Sequence, residues 1–154
     1  MAAPSPDPEL LTIARLARVV ERGCANLTLA QYRVLALVAE GEDRASRVAR
    51  QLALAKPTVS ATVDALVGHG LLARDAAEGD RRALRLTATD AGRAALREAE
   101  SGMRSRLDEV LAHVGDPALV ARVLAELGSA IDARRTERAS RRDRDDGAHA
   151  SARP

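Results

Sequence analysis

The chain has 154 residues, which is enough for one domain with a substantial core and too short for a large cofactor-binding architecture. Its formal net charge is only +2 although 30% of its residues are charged, so the overall charge does not by itself indicate a nucleic-acid partner. A single cysteine excludes an internal disulfide framework and favours a reducing, cytoplasmic location, and no apolar run approaches the roughly 18 residues of a membrane span.

The N-terminal part predicts a disordered start followed by two helices. Residues 1–8 contain three prolines and favour a solvated coil. Apolar residues at helical spacing predict an amphipathic helix from about Glu9 to Arg22. A second helix follows over "LAQYRVLALVAE", with Thr28 as its N-cap and Gly41 as its end.

Two short helices come next, from about Arg44 to Leu52 and from about Pro57 to His69. Proline is accepted at the first position of a helix because that position needs no amide donor. The brief link between the two helices has the spacing of a helix-turn-helix.

A β-hairpin is predicted directly after this pair. Strands at about Leu71–Asp75 and Ala83–Thr87 flank a tip at Glu78–Arg82, which contains the adjacent Arg81 and Arg82. A hairpin in this place is a wing, so the predicted fold class is mainly α, an α+β winged helix.

Two longer helices complete the predicted fold. Thr89 starts a helix that runs to about Val114, and "GDP" at residues 115–117 stops it and caps the last helix. Apolar periodicity ends at Arg134, so residues 135–154 are predicted to be a frayed helix end and a disordered, charged tail.

This order of elements resembles the multiple-antibiotic-resistance regulator (MarR) family of winged-helix transcription factors. In its wing that family typically shows Asp, any residue, Arg, five residues, Leu-Thr, two residues and Gly. Asp80, Arg82, Thr89 and Gly92 match this pattern in register, and Ala88 departs from it where Leu is usual. The segment "KPTVSATVDALVGHGLL" resembles the family's recognition helix and its exit.

The resemblance covers residues 9–134 and implies a division of the chain. Residues 9–27 would be an N-terminal dimerisation helix, residues 28–92 the winged helix-turn-helix DNA-binding region, and residues 93–134 the C-terminal dimerisation helices. Independently, the first helix and the last two carry more apolar surface than one winged-helix core can cover.

The fourth helix has one face suited to the major groove. Val59, Val63, Leu66 and Val67 share an arc that must be buried. The remaining surface holds small or hydroxyl-bearing residues, with Lys56 at the entrance: Pro57, Thr58, Ser60, Ala61 and Thr62. Asp64 also lies there and would repel phosphate, so an arginine is expected to pair with it, either Arg74 or Arg82.

Arginines outside this helix supply most of the positive charge. Arg81 and Arg82 are predicted to enter the minor groove, whose negative potential attracts guanidinium groups. The resemblance implies that one of them reaches DNA while Asp80 steadies the loop. Arg44 and Arg47, together with Arg50, are candidates for contacts with backbone phosphate.

The sequence therefore predicts a sequence-specific regulator of transcription that binds double-stranded DNA. Since one recognition helix reads only a few base pairs, a homodimer on a palindromic operator is expected. The resemblance implies that a small lipophilic or aromatic effector releases the DNA, and that such proteins are more often repressors. Tyr32 is a candidate pocket residue, with a core position as the alternative.

Several alternatives stay open at this point. A winged helix that docks proteins and does not bind DNA would also explain the modest net charge. Cys24 is either a redox-sensitive thiol or a packed, inert one, and His69 either caps its helix or meets a phosphate. No catalytic motif and no metal-ligand spacing is found, so neither an enzyme nor a cofactor is expected.

Overall fold

The computed structural model describes the backbone of residues 6–77 and 80–150 and the side chains of residues 6–75 and 85–137. Within these residues the chain is mainly helical with a two-stranded antiparallel sheet, which confirms the predicted fold class. The elements are α1 (Pro8–Glu21), α2 (Leu29–Ala39), α3 (Ala45–Leu52), α4 (Lys56–Gly68), β1 (Leu72–Ala77), β2 (Asp80–Ala88), α5 (Asp90–Leu111) and α6 (Pro117–Ala150). They divide into two units, Met1–Val110 and Leu111–Pro154.

Side-chain caps fix the starts of the first two helices. The Asp7 carboxylate accepts hydrogen bonds from the backbone N–H groups of Glu9 and Leu10, so α1 starts at Pro8, one residue before the predicted start at about Glu9. Residues 1–5 lie outside the described residues. Thr28 and Gln31 form a reciprocal capping box at the start of α2, which satisfies two backbone donors that have no partner within the helix.

The helix-turn-helix forms as predicted, with small shifts at its ends. Arg44 is the N-cap of α3, and Ala53 ends α3 in the left-handed region at a φ of 52°. Lys56 is the first residue of α4 and Pro57 therefore occupies the second position, not the first. The proline fits there because the N–H groups of the first helical turn have no acceptor inside the helix.

The core is built from aliphatic side chains of α2, α3, α4 and the wing, together with one face of α5. Its largest fully buried members are Leu35, Leu66, Leu72, Val34, Val48, Val59, Val63 and Cys24. Where α1 ends, a Cβ atom on Gly23 would lie 2.6 Å from the carbonyl oxygen of Gly102 in α5. Glycine is thus required for the backbones to approach this closely.

The wing hairpin pairs in a register that changes near its tip. Leu72 pairs with Ala88 and Ala76 pairs with Leu84, but Ala77 pairs with Asp80. The prediction of a tip reaching from Glu78 to Arg82 is therefore wrong, since Arg81 and Arg82 belong to β2. The physical reason is the register shift between Ala76 and Ala77, which lets the strands stay paired beyond the apolar alternation.

The helices after the wing also differ from their predicted lengths. Thr89 caps α5 as expected, because its hydroxyl accepts a hydrogen bond from the N–H of Gly92 at 2.9 Å, but α5 ends at Leu111 and not near Val114. The sequence predicts a frayed helix end and a disordered tail after Arg134. This prediction is wrong up to Ala150, because α6 continues to that residue. Ala, Arg and Glu are good helix formers, so the helix persists where the apolar periodicity does not.

In the part of the chain that the structure describes, no helix is both long and apolar enough to cross a membrane.

Candidate nucleic-acid interface

The two faces of α4 are separated as the sequence predicts. Val59, Val63 and Leu66 are buried in the core, and Val67 is half-buried beside them. On the other side Pro57, Thr58, Ser60 and Ala61 are exposed together with Lys56, while Thr62 is half-buried at the edge. Because α4 packs against α2, α3 and β1, this outward face is held by a rigid support.

The hydroxyl groups of this face differ in their hydrogen bonding. The Thr62 hydroxyl donates to the carbonyl oxygen of Thr58 at 2.9 Å, so its hydrogen is committed within the helix. Its oxygen can still accept. Thr58 and Ser60 are exposed and can act as donors or acceptors toward a polar surface.

An ion pair joins α4 to the wing. Nη2 of Arg74, in β1, donates to Oδ1 of Asp64, which confirms one of the two expected partners of this carboxylate. The pair neutralises the one acidic side chain of α4 and connects the helix to the first strand of the hairpin.

A second anchor of the wing was missed in the sequence. Nε of Arg85 donates to Oδ2 of Asp43 at 3.0 Å, and the carbonyl oxygen of Asp43 accepts from the N–H of Leu86 at 2.8 Å. Asp43 lies between α2 and α3, so β2 is tied to the helix-turn-helix by both the side chain and the backbone of one residue. The signal available in the sequence was a lone arginine between the apolar Leu84 and Leu86.

The arginines at the start of α3 lie beside an acidic residue. Nη1 of Arg47 is 3.9 Å from Oε1 of Glu42, and the same oxygen accepts from the backbone N–H of Arg44 at 3.3 Å. Both arginine side chains are exposed. The carboxylate reduces the local positive charge, so Arg47 is a weaker candidate for a phosphate contact than the sequence suggests.

The predicted wing residues are described only in part. The backbone of Asp80, Arg81 and Arg82 forms the start of β2, and their side chains lie outside the described residues. Their contacts with DNA stay a prediction.

Two other candidate residues lie inside the fold. Cys24 is buried, and its burial, helped by the nearby Glu21 carboxylate, raises the pKa of the thiol above its usual value. This environment is typical of an inert cysteine and not of a redox sensor. Tyr32 is half-buried against the core, and burial likewise raises its pKa.

His69 is exposed and is the C-cap of α4.

A recess of about 570 Å³ lies between the end of α2, the wing and the start of α5. Its lining consists of Val38, Ala39, Gly41, Asp75, Arg85, Leu86, Thr87, Ala88 and Arg93. Tyr32, the predicted pocket residue, is not part of this lining. Ala88, which replaces the leucine usual in the MarR motif, is itself buried, and its small side chain leaves space under the wing.

A known family shares the sequence pattern of this helix-turn-helix and wing. Residues 25–83, from the turn before α2 into β2, match the family model described as MarR family. This part of the chain is similar to the MarR family. The resemblance inferred from the wing motif is thereby confirmed.

Solved structures extend the likeness beyond the matched region. The transcriptional repressor CouR bound to a 23-mer DNA duplex is 29% identical, with a TM-score of 0.68 over 79% of this chain and 88% of CouR. The MarR family protein Rv2887 of Mycobacterium tuberculosis, in complex with salicylic acid, is 26% identical, with a TM-score of 0.63 over 82% and 99% of the two chains. CouR from Rhodococcus jostii RHA1 bound to p-coumaroyl-CoA is 22% identical, with a TM-score of 0.65 over 85% and 96%. No curated protein sequence matches the chain significantly.

Proposed function

We propose that this protein is a homodimeric repressor of transcription that binds a palindromic operator in double-stranded DNA. The outward face of α4 carries the proposal, because it presents Thr58, Ser60 and Ala61 on a helix that is buried on its other side. Small side chains allow the close approach that a helix makes in the major groove. The similar repressor CouR was solved with a DNA duplex, which supports the same partner for this chain.

The wing supplies the second reading element of this proposal. Among the residues whose side chains are described, the Asp64–Arg74 pair holds one strand of the hairpin and the Asp43–Arg85 pair holds the other. A hairpin fixed in this way can hold Arg81 and Arg82 against the minor groove while α4 occupies the neighbouring major groove.

Exposed apolar surface supports the proposed dimer. α1 has no buried residues and leaves Leu10 and Ile13 exposed by 65% and 62%. In the C-terminal unit, α6 leaves an apolar row in solvent: Leu119, Val123, Leu124, Leu127 and Ile131. Apolar surface of this extent is typical of an interface, and a second copy of the chain would cover it symmetrically.

A small organic effector is part of the same proposal. CouR and Rv2887, which share this fold, were solved with p-coumaroyl-CoA and salicylic acid. In this chain, which has a single aromatic residue, an effector would meet mostly aliphatic side chains. A carboxylate-bearing lipophilic compound that lowers operator binding would support this step.

The deciding experiment is a titration of the intergenic DNA upstream of the protein's own gene at several salt concentrations. Binding should weaken steeply with salt, because each phosphate contact releases counterions. Arg82→Ala should lower operator affinity by about tenfold without unfolding the dimer, since one groove contact is lost. Arg97→Ala, which removes an exposed arginine of α5, is the matched control and should leave the affinity unchanged.

Two results would count against this function. Equal affinity of Arg82→Ala and the unchanged protein would remove the role of the wing. Absence of binding to any duplex at low salt would favour the alternative, a winged helix that docks proteins.

A further inference from the structure

The outward surface of α4 contains a ridge that runs along the helix axis. At 100° per residue, Pro57, Ala61, Asp64 and Gly68 fall close to one line, opposite the buried valines. Three of these four residues are small and uncharged. Asp64 is therefore the charged residue of the ridge, and its side chain is 61% exposed.

The ridge has the length needed to meet several base pairs. Pro57 and Asp64 are separated by about 10 Å along the axis at the helical rise of about 1.5 Å per residue. This distance corresponds to about three base pairs of duplex. A helix that places Pro57 in the major groove can thus bring Asp64 to the edge of a neighbouring base pair.

A carboxylate in this position has a restricted choice of partners. It only accepts hydrogen bonds, and phosphate oxygens repel it. Among the groups that bases present in the major groove, the N4 amino group of cytosine is the donor that Asp and Glu characteristically recognise. The cost of placing a negative charge near DNA is lowered if a cation accompanies it.

Arg74 is that cation. Its guanidinium group engages one carboxylate oxygen, Oδ1 of Asp64, and its own side chain is only 34% exposed. A carboxylate offers about four acceptor positions, so the pair leaves acceptor capacity directed outward. Because Arg74 lies in β1, the wing itself holds the carboxylate in place.

We propose that Asp64 is a specificity-determining residue that accepts a hydrogen bond from a cytosine N4 amino group in each half-site, and that Arg74 is its positioning residue. The inference rests on the proposed DNA-binding function. It assigns to the one acidic side chain of α4 a role in selecting the operator and not merely in bracing the wing.

The test is selection of bound duplexes from a randomised pool by the full-length protein, followed by titration of the selected duplex and its single base-pair variants. The unchanged protein should require a C·G pair at one position of each half-site. Asp64→Ala should lose that preference, a change of about tenfold in discrimination at that position only. Asp64→Asn should move the preference toward adenine, because an asparagine amide pairs with adenine N6 and N7.

Two further variants separate base reading from structural support. Asp108→Ala removes an exposed ion pair of α5, with Arg104, and should leave the selected sequence unchanged. Arg74→Ala should weaken binding to every duplex by exposing the charge of Asp64, and this loss should disappear in the Arg74→Ala, Asp64→Ala double variant. A purely structural role would not produce a change confined to one base pair.

The outcomes distinguish the inference from the function on which it rests. If the unchanged protein selects no sequence, the proposed function fails. If it selects a sequence and Asp64→Ala and Asp64→Asn select the same one with equal discrimination, the function stands and the role of Asp64 is wrong.

Discussion

Cys24 illustrates how the surroundings of a side chain decide its chemistry. The thiol is buried beside α1, its Sγ lies 3.8 Å from the carbonyl oxygen of Val20, and Glu21 adds a nearby negative charge. Each of these features favours the protonated thiol over the thiolate. Since the thiolate is the reactive form, oxidation and alkylation of Cys24 should be slow in the folded protein.

The raised pKa of Cys24 predicts how stability depends on pH. Above the ordinary thiol pKa of about 9.0 the unfolded chain loses a proton that the folded chain still holds, so the free energy of unfolding falls as pH rises. Below that value the stabilising contribution is fully present. Urea denaturation at several values between about pH 7 and pH 10 should therefore show a steeper loss for the unchanged protein than for Cys24→Ser. Parallel pH profiles for the two proteins would contradict the assigned environment.

The contacts of a single residue could be predicted where its partner lies nearby in the sequence. The partner of Asp64 was narrowed to two arginines because a carboxylate on a DNA-facing helix needs compensation, and Arg74 is ten residues away. The contact between Arg85 and Asp43 spans 42 residues and depends on how the wing folds back, which no local pattern encodes.

At the scale of elements, α4 has one surface that is buried in the core and one that is exposed to solvent. Leu66 is fully buried, so Leu66→Ala should destabilise the protein by about 2–5 kcal/mol through lost burial and a residual cavity. Ser60 is exposed on the same helix, and Ser60→Ala should change the free energy of unfolding by no more than about 0.5 kcal/mol. Urea denaturation measures both values, and a large stability loss for Ser60→Ala would show that its side chain supports the fold.

Ser60→Ala also has an expected effect on operator binding. Losing one hydroxyl contact should reduce affinity severalfold, whereas a stability measurement would detect almost nothing. The pair of variants thus separates the two surfaces of one element.

The ends of elements were predicted best where a capping residue marks them. Thr28 and Thr89 start their helices as expected, because each hydroxyl accepts a hydrogen bond from a backbone donor of the first turn. The wing tip was placed wrongly, because the register shift near it depends on pairing between the two strands. The length of α6 was also underestimated, because apolar periodicity reports burial and not helix formation itself.

At the scale of the whole molecule, the proposed assembly depends on exposed apolar residues of the C-terminal unit. Leu127 and Ile131 lie one turn apart on α6 and are exposed by 53% and 51%. Leu127→Arg would place a charge in the proposed interface and should convert the dimer to monomers. Ser129→Arg adds the same charge on the opposite side of α6 and should leave the dimer intact.

Sedimentation equilibrium distinguishes these states directly. The operator titration should change in parallel, because a monomer engages one half-site and loses about one half of the contacts. A dimer that persists in Leu127→Arg would mean that a different surface joins the two copies.

The attachment of Asp43 to β2 also has a consequence for solubility. A two-stranded hairpin has two outer margins, and unpaired N–H and C=O groups there can recruit a strand from another molecule. By accepting from the N–H of Leu86, the Asp43 carbonyl occupies one of these positions on the outer side of β2, and the paired Arg85 adds a charged side chain beside it. The loop between α2 and α3, which holds the hairpin in place, therefore also reduces the tendency of β2 to pair with a strand of another molecule.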